Sequence, residues 1–275
     1  MPTSPLRHDP LALYEASVLS TLFDLDFIER VYRTTRRRRF TRLREDFCGT
    51  ALLACGWALR DPAHQAIGVD IDPVPLAWAR RNHLARMRDA AARVALVRGD
   101  VRAVRTAKVD VVCALNFSYW IFKTRDGLRR YFRRVHESLR PGGIFFVNAY
   151  GGMRAFRPLV ETRYVTASHA ADGLRVPGFT YVWQQKRFNP ITNEILCYIH
   201  FRWRDGSARP RAFTYDWRVW TLPEIQEVML EAGFRRTEVH VEDWNEGPGD
   251  TEVVFRRMKR FDNRSAWLAF VAGHR

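Results

Sequence analysis

Between residues 41 and 149 the chain repeats one unit: a short strand-like run, mostly apolar in its later copies, a turn, and a longer stretch with apolar residues at helical spacing. Thr41–Asp46, His64–Asp70, Val94–Val97, Val109–Leu115 and Ile144–Ala149 are the short runs, and Ala51–Leu59, Pro75–Met87 and Asp126–Leu139 carry the helical pattern. Strands without polar alternation are buried on both faces, so the pattern predicts βαβ units and a parallel sheet covered by helices on both sides. This excludes an all-helical bundle and an all-β sandwich for this part of the chain.

On either side the pattern changes. Leu11, Tyr14, Val18, Leu19 and Leu22, then Phe27, Ile28 and Val31, predict one or two lead-in helices within residues 1–40. After Gly152, Leu159–Ala167, Phe179–Arg187, Glu194–Trp203 and Arg209–Trp217 read as strands separated by turns such as Asn189-Pro190 and Asp205-Gly206. In the third, Ile195, Cys197, Ile199, Phe201 and Trp203 share one face, while Tyr198, His200 and Arg202 share the other, as in an antiparallel sheet with one buried face. Thr221–Ala232 returns to a helix, with Thr221 as N-cap, Glu224 three residues on and Gly233 as the stop. Arg236–Asp243 and Ala266–Ala272 are the closing strands. The expected fold is therefore α/β: a Rossmann-like, seven-stranded, mostly parallel sheet with helices on both faces. Residues 41–152 and 221–275 form it, and residues 153–220 are an inserted antiparallel β lid.

The strand ends carry the chemistry. Leu43 to Ala51 ends a strand, turns tightly at Gly49 and opens a helix, which sets backbone N–H groups beside the crevice where open α/β sheets bind ligands. Glu45 ends the first strand, Asp70 the second and Asp100 the third. A carboxylate in the second position accepts hydrogen bonds from ribose hydroxyls. Three carboxylates facing one crevice repel a pyrophosphate and suit a nucleoside bearing an amine and a sulfonium. A nicotinamide-dependent oxidoreductase expects G-x-G-x-x-G here, which Phe47-Cys48-Gly49-Thr50-Ala51 does not supply.

These residues resemble the successive motifs of class I S-adenosylmethionine-dependent methyltransferases. Glu45-Asp46-Phe47-Cys48-Gly49-Thr50-Ala51 is similar to the acidic, glycine-rich first motif, Gly68-Val69-Asp70-Ile71-Asp72-Pro73 to the second, and Arg98-Gly99-Asp100-Val101 to the third. Asn116-Phe117-Ser118-Tyr119 stands in the place of the fourth, and Leu139-Arg140-Pro141-Gly142-Gly143 resembles the turn before strand five. Phe47 and Ala51 replace glycines of the usual first motif; its E-D-F-C-G-T form resembles that of a bacterial subset of the family. The inserted sheet resembles the lid of small-molecule N-methyltransferases, including those acting on amino sugars and glycine.

The resemblance implies an enzyme with S-adenosylmethionine as cofactor. Glu45, Phe47, Cys48 and Gly49 would form the turn against its methionine portion. Asp70 would hold the ribose, Ile71 would lie against adenine, and Asp100 with the Val101 amide would read the adenine edge. Asn116 and Phe117 would close over the methionine end. Tyr14, Tyr119, Tyr150, Tyr215 and Arg218 are candidate substrate contacts, and no catalytic base is identifiable. The expected reaction is transfer of a methyl group to a nitrogen or oxygen atom of a small molecule. The rivals are a methyltransferase acting on RNA or another macromolecule and a non-catalytic protein that binds S-adenosylmethionine.

Charge motivates the RNA rival. The chain has 45 Lys and Arg against 30 Asp and Glu, a formal net charge of +15. Nearly all the cations are arginine, spread along the chain except for the run Arg36-Arg37-Arg38-Arg39, which reads more simply as the solvated end of a helix. A nucleic-acid partner is thus possible but not favoured. No apolar run approaches the ~20 residues of a membrane span. The opening residues lack the apolar centre of a signal peptide, so a cytoplasmic, membrane-free protein is expected. Cys48, Cys55, Cys113 and Cys197 are scattered, fit reduced thiols and give no metal-ligand spacing.

Overall fold

The structure is a computed structural model, and it describes residues 8–171, 173, 175–244 and 253–275. The opening residues 1–7 of the predicted lead-in lie outside the described residues. The lead-in forms two helices, α1 (Pro10–Val18) and α2 (Thr21–Arg36). Asp9 caps α1 by accepting from the Leu11 amide at 2.9 Å, and Pro10 fills the first turn, where a missing N–H costs nothing.

There follow β1 (Arg42–Asp46), α3 (Leu52–Arg60), β2 (Gln65–Asp70), α4 (Pro73–Asn82), β3 (Val94–Arg98), β4 (Val109–Ala114), α5 (Arg125–Ser138) and β5 (Leu139–Gly151). The predicted helix 75–87 begins earlier, behind its cap Asp72, and gives way after Asn82 to short 3-10 turns. A second group comprises β6 (Leu159–Val165), β7 (Ser168–His169), β8 (Arg175–Val176), β9 (Phe179–Asn189), β10 (Glu194–Arg202) and β11 (Ala208–Arg218). The chain closes with α6 (Leu222–Glu231), β12 (Arg236–Trp244), β13 (Val253–Arg257) and β14 (Trp267–His274). The capping box predicted at Thr221 and Glu224 is present in full.

The main sheet has eight strands in the order β13-β12-β14-β5-β4-β1-β2-β3. The pairs from β5 to β3 are parallel, while β14 lies antiparallel between β5 and β12. The expectation of seven strands is corrected by β13. Among the described residues that strand is five residues long, pairs with β12 alone, and ends in Arg256 and Arg257, so it lacks the apolar signature of a buried strand. All of β4 is buried, as its unbroken apolar run requires.

Helices cover both faces. Phe27, Ile28, Trp57, Ala58 and Leu76 pack one face, and Tyr119, Phe132, Val135, Val228 and Met229 pack the other. The second sheet, in the order β11-β10-β9-β6, is antiparallel. On β10 the residues predicted to point inward are the buried ones. Ile195, Cys197 and Trp217 join the core of the main sheet, and Ile199 and Phe201 pack with Leu13 of α1. Two sheets and α1 thereby meet above the C-terminal ends of the parallel strands. Among the described residues, no helix is long and apolar enough to cross a membrane.

Candidate active site

The turn after β1 is built from left-handed residues. Phe47 has φ 57°, Gly49 φ 53° and Ala51 φ 54°, and only the glycine adopts this conformation without steric cost. The turn is pinned to β2: the Cys48 amide donates to the Val69 carbonyl at 3.0 Å, and the Gly49 amide to Asp70 Oδ2 at 2.7 Å. Gly68 makes this approach possible, since a Cβ there would stand 3.0 Å from Cys48 Sγ and 3.3 Å from Ala51 Cβ. Above Gly49 the space is open, with nothing within 4 Å of where its Cβ would be.

The strand-end carboxylates differ in environment. Asp70 also accepts from the Asp72 amide at 2.9 Å, and burial raises its pKa. Glu45 accepts from the Ala54 amide of α3 at 3.0 Å, so it ties the turn to the helix. Burial, then the nearby Asp70, Asp24 and Asp46 carboxylates, push its pKa up to about 8. Asp46 points the other way, paired with Arg44 at 2.8 Å and accepting from Tyr131 at 2.9 Å. Asp100 is taken up by its neighbour: the Arg102 Nε, Nη2 and backbone amide all donate to it, chiefly holding its pKa low. Ile71 stands 64% exposed beside β2, an apolar surface at the rim of the crevice.

After β4, Asn116 and Phe117 are again left-handed, with φ 53° and 59°. The Phe117 amide donates to Asn148 Oδ1 at 3.1 Å, which fixes this turn against β5. Asn116 and Phe117 form one edge of a cavity of about 360 Å³ between the two sheets. Tyr14 of α1, Tyr150 of β5, Trp183 of β9, and Tyr215 and Trp217 of β11 are among its walls. Its charged groups are Arg154, Glu161 and Glu242, with Arg154 and Glu161 paired at 2.9 Å. Burial raises the pKa of Glu242. Tyr215 hydrogen-bonds Tyr14, and burial pushes Tyr14 up to about 12. Gly49, Asp70 and Asp100 do not line this cavity; they bound the open crevice beside it.

Residues 48–145 match a protein-family description that reads "Methyltransferase domain". This part of the chain is a methyltransferase domain. The match begins inside the first turn and ends within β5, so it contains Gly49, Asp70, Asp100 and Asn116. Among solved structures, the amino pentose methyltransferase CalS10 of Micromonospora echinaspora is 18% identical, with 96% of each chain covered and a TM-score of 0.64. DesVI of Streptomyces venezuelae is 18% identical, covers 95% of this chain and 94% of its own, and has a TM-score of 0.65. The sugar N-methyltransferase KedS8 of a Streptoalloteichus species is 16% identical, with 98% and 93% covered and a TM-score of 0.64. At these identities the likeness is one of fold, and it extends over both sheets. No curated protein matches the sequence.

The ends of the parallel strands bring Glu45, Phe47, Cys48, Gly49, Asp70, Ile71, Asp100 and Val101 to one edge of the sheet. Asn116 and Phe117 stand between that edge and the cavity. Of the substrate candidates, Tyr14, Tyr150 and Tyr215 line the cavity. Tyr119 does not reach it: the side chain is fully buried, and its hydroxyl donates to the Asn148 carbonyl at 3.1 Å. Arg218 does not either. It donates to Glu224 at 2.9 Å and to the Lys123 carbonyl at 3.0 Å, with its guanidinium over Trp220. Sequence reading missed Glu161, Glu242, Trp183 and Gln185. The first two were legible only as charges on strands, and the last two share the face of β9 that pairs with Ile199 and Cys197.

Proposed function

We propose that the chain transfers the methyl group of S-adenosylmethionine to a nitrogen or oxygen atom of a small molecule. The observation that carries this reading is that the strand-end crevice and the cavity of about 360 Å³ meet at Asn116 and Phe117. That volume lies at the small-molecule end of ligand pockets, which run from about 300 to 1,000 Å³. The sheet of β6 and β9–β11, within residues 153–220, then acts as the lid over the acceptor.

The residues present fit the cofactor. The open space above Gly49 admits a ligand against the backbone, and Asp70 has lone pairs left for ribose hydroxyls. The carboxyl of Glu45, crowded by other acids, gains by meeting a cationic ligand. Ile71 offers an apolar face to adenine. Asp100 and the Val101 amide would hold the adenine edge in place of Arg102, whose side chain is 44% exposed. When bound, the cofactor supplies an activated methyl group on a sulfonium.

The chain's own contribution is positioning. A displacement at carbon gains most of its rate from holding the two reactants in line. Tyr14, Phe117 and Tyr150 converge where crevice and cavity join, and aromatic faces attract a cation. Glu161 and Glu242 put carboxylates in the cavity wall, where they orient an amine and take its proton. These groups favour nitrogen over a hydroxyl oxygen, whose proton is far harder to remove. Two residues of the arginine run are taken up within the fold: Arg38 lies 3.9 Å from Asp110 and Arg36 3.4 Å from His274, at the opposite ends of the strands from the crevice.

The test is a methyl-transfer assay with labelled S-adenosylmethionine against a panel of small amines and alcohols, with bulk RNA alongside. Label in a small amine, lost in Asp70→Ala, is the expected result. Label in RNA alone would overturn the small-molecule reading.

A further inference from the structure

The inward stripe of α2 holds one residue that packing does not explain. Asp24, Phe27, Ile28 and Val31 recur at helical spacing, and the last three are buried against the main sheet. Asp24 continues that stripe one turn toward the start of the helix, where an apolar side chain would be expected. Among the described residues its carboxyl has no hydrogen bond and no ion pair, and burial alone pushes its pKa from 3.8 up to about 7. An acid in the first turn suits the helix dipole, but the outer face would serve that end without the cost of burial.

Strand register places it. The last turn of α2 lies at the end of the sheet opposite the crevice, where Arg36 stands 3.4 Å from His274. Phe27, further back along the helix, packs its ring on Phe270 and Phe146, with centroids 4.3 and 6.2 Å apart. Phe146 is level with Cys113 of β4, and Cys113 with Glu45 of β1. One turn beyond Phe27, Asp24 therefore stands at the C-terminal ends of β1 and β4, on the face that α2 covers. Both neighbours register its charge: after burial, Asp24 is among the groups that raise the pKa of Glu45 and of the Cys113 thiol. The side-chain charges acting most on Glu45 are Asp70, Asp24 and Asp46, all of them negative. A cation brought among such acids favours their charged forms and relieves them.

The cofactor carries two cations, its sulfonium and the α-ammonium of its methionine portion. The sulfonium bears the methyl group and has to face the cavity, where the acceptor lies. The ammonium is left for the acids on the α2 side. We propose that Asp24 is a cofactor-binding residue, which together with Glu45 receives that α-ammonium. This role rests on the crevice being the cofactor site, and it makes the lead-in helix part of that site.

Titration calorimetry of the full chain tests it with two compounds that both lack the sulfonium. One is S-adenosylhomocysteine, and the other is its analogue with hydrogen in place of the α-amino group. The wild type is expected to bind the first at least about tenfold more tightly, as a charge-assisted hydrogen bond in a partly buried site requires. Asp24→Asn, which keeps the shape and removes the charge, is expected to lose at least about tenfold for S-adenosylhomocysteine and less than about twofold for the analogue. An unchanged affinity for S-adenosylhomocysteine overturns the proposal, as does an equal loss for both compounds, which is what a merely structural role gives. A wild type that binds neither compound overturns the cofactor reading and this role with it, so the two failures are told apart. Should circular dichroism show that Asp24→Asn does not fold, Asp24→Ser takes its place with the same expectations.

Discussion

Asp70 does two things at once: it accepts from the Gly49 amide at 2.7 Å and from the Asp72 amide at 2.9 Å, and it stands at the rim of the crevice. Asp70→Ala should therefore weaken S-adenosylmethionine binding by at least about tenfold, through lost ribose contact and a loosened turn. Titration calorimetry reads this directly. Glu45 gives a prediction with a sign. Its pKa rises from 4.5 in the unfolded chain to about 8 in the fold, so its contribution to stability is full below 4.5 and is lost as pH rises through 8. Without cofactor, thermal melts of the wild type should fall across that window by several degrees more than those of Glu45→Gln. An identical pH dependence in the two proteins would refute the burial argument. At this scale the strand-end places of Asp70 and Glu45 were legible, because they follow from the strand pattern itself. The sequence was silent about the capture of Asp100 by Arg102, which depends on a side-chain torsion that no spacing encodes. Tyr119 and Arg218 were misplaced because an aromatic or cationic residue near a motif carries no sign of which way it points.

Elements were legible where one force decided them. Continuous apolar runs gave β4 and β5, and the Thr221–Glu224 box gave the start of α6. The edge strand β13 was not legible, since a half-exposed strand with two arginines lacks the pattern of a buried one. β11 formed in spite of Pro210 because it is an edge strand, where a missing donor is tolerated. The first turn stores strain at Ala51, the left-handed N-cap of α3. Ala51→Gly should relieve about 1 kcal/mol, the usual cost of that conformation for a residue with a Cβ. Gly68→Ala should do the opposite. Its new methyl meets Leu96 Cδ2 and Cys48 Sγ at 3.0 Å, and such overpacking costs about 1–3 kcal/mol. Urea denaturation of the two variants distinguishes relief from strain, and equal stabilities would contradict both arguments.

Over the whole molecule, the net charge of +15 proved a poor guide to the site. The arginine run ends α2 at the far side of the sheet, with Arg37 as a left-handed cap. Substituting Arg37 and Arg39 together by Ser should change cofactor affinity less than about twofold, because screening leaves little of a surface charge's effect beyond about 10 Å. The cavity itself could not be read from the sequence. Its walls come from α1, β5, β6, β9, β10, β11, β12 and β14, and only the packing of the second sheet on the first brings them together. The strand-end crevice could, because it belongs to consecutive strand ends and is built within one stretch of chain. The central claim is that this crevice binds S-adenosylmethionine, and titration calorimetry of the full chain with the cofactor and its demethylated product tests it most directly. We predict saturable binding of both at a single site, weakened together by at least about tenfold in Asp70→Ala. No heat from either compound at millimolar concentration would contradict the account.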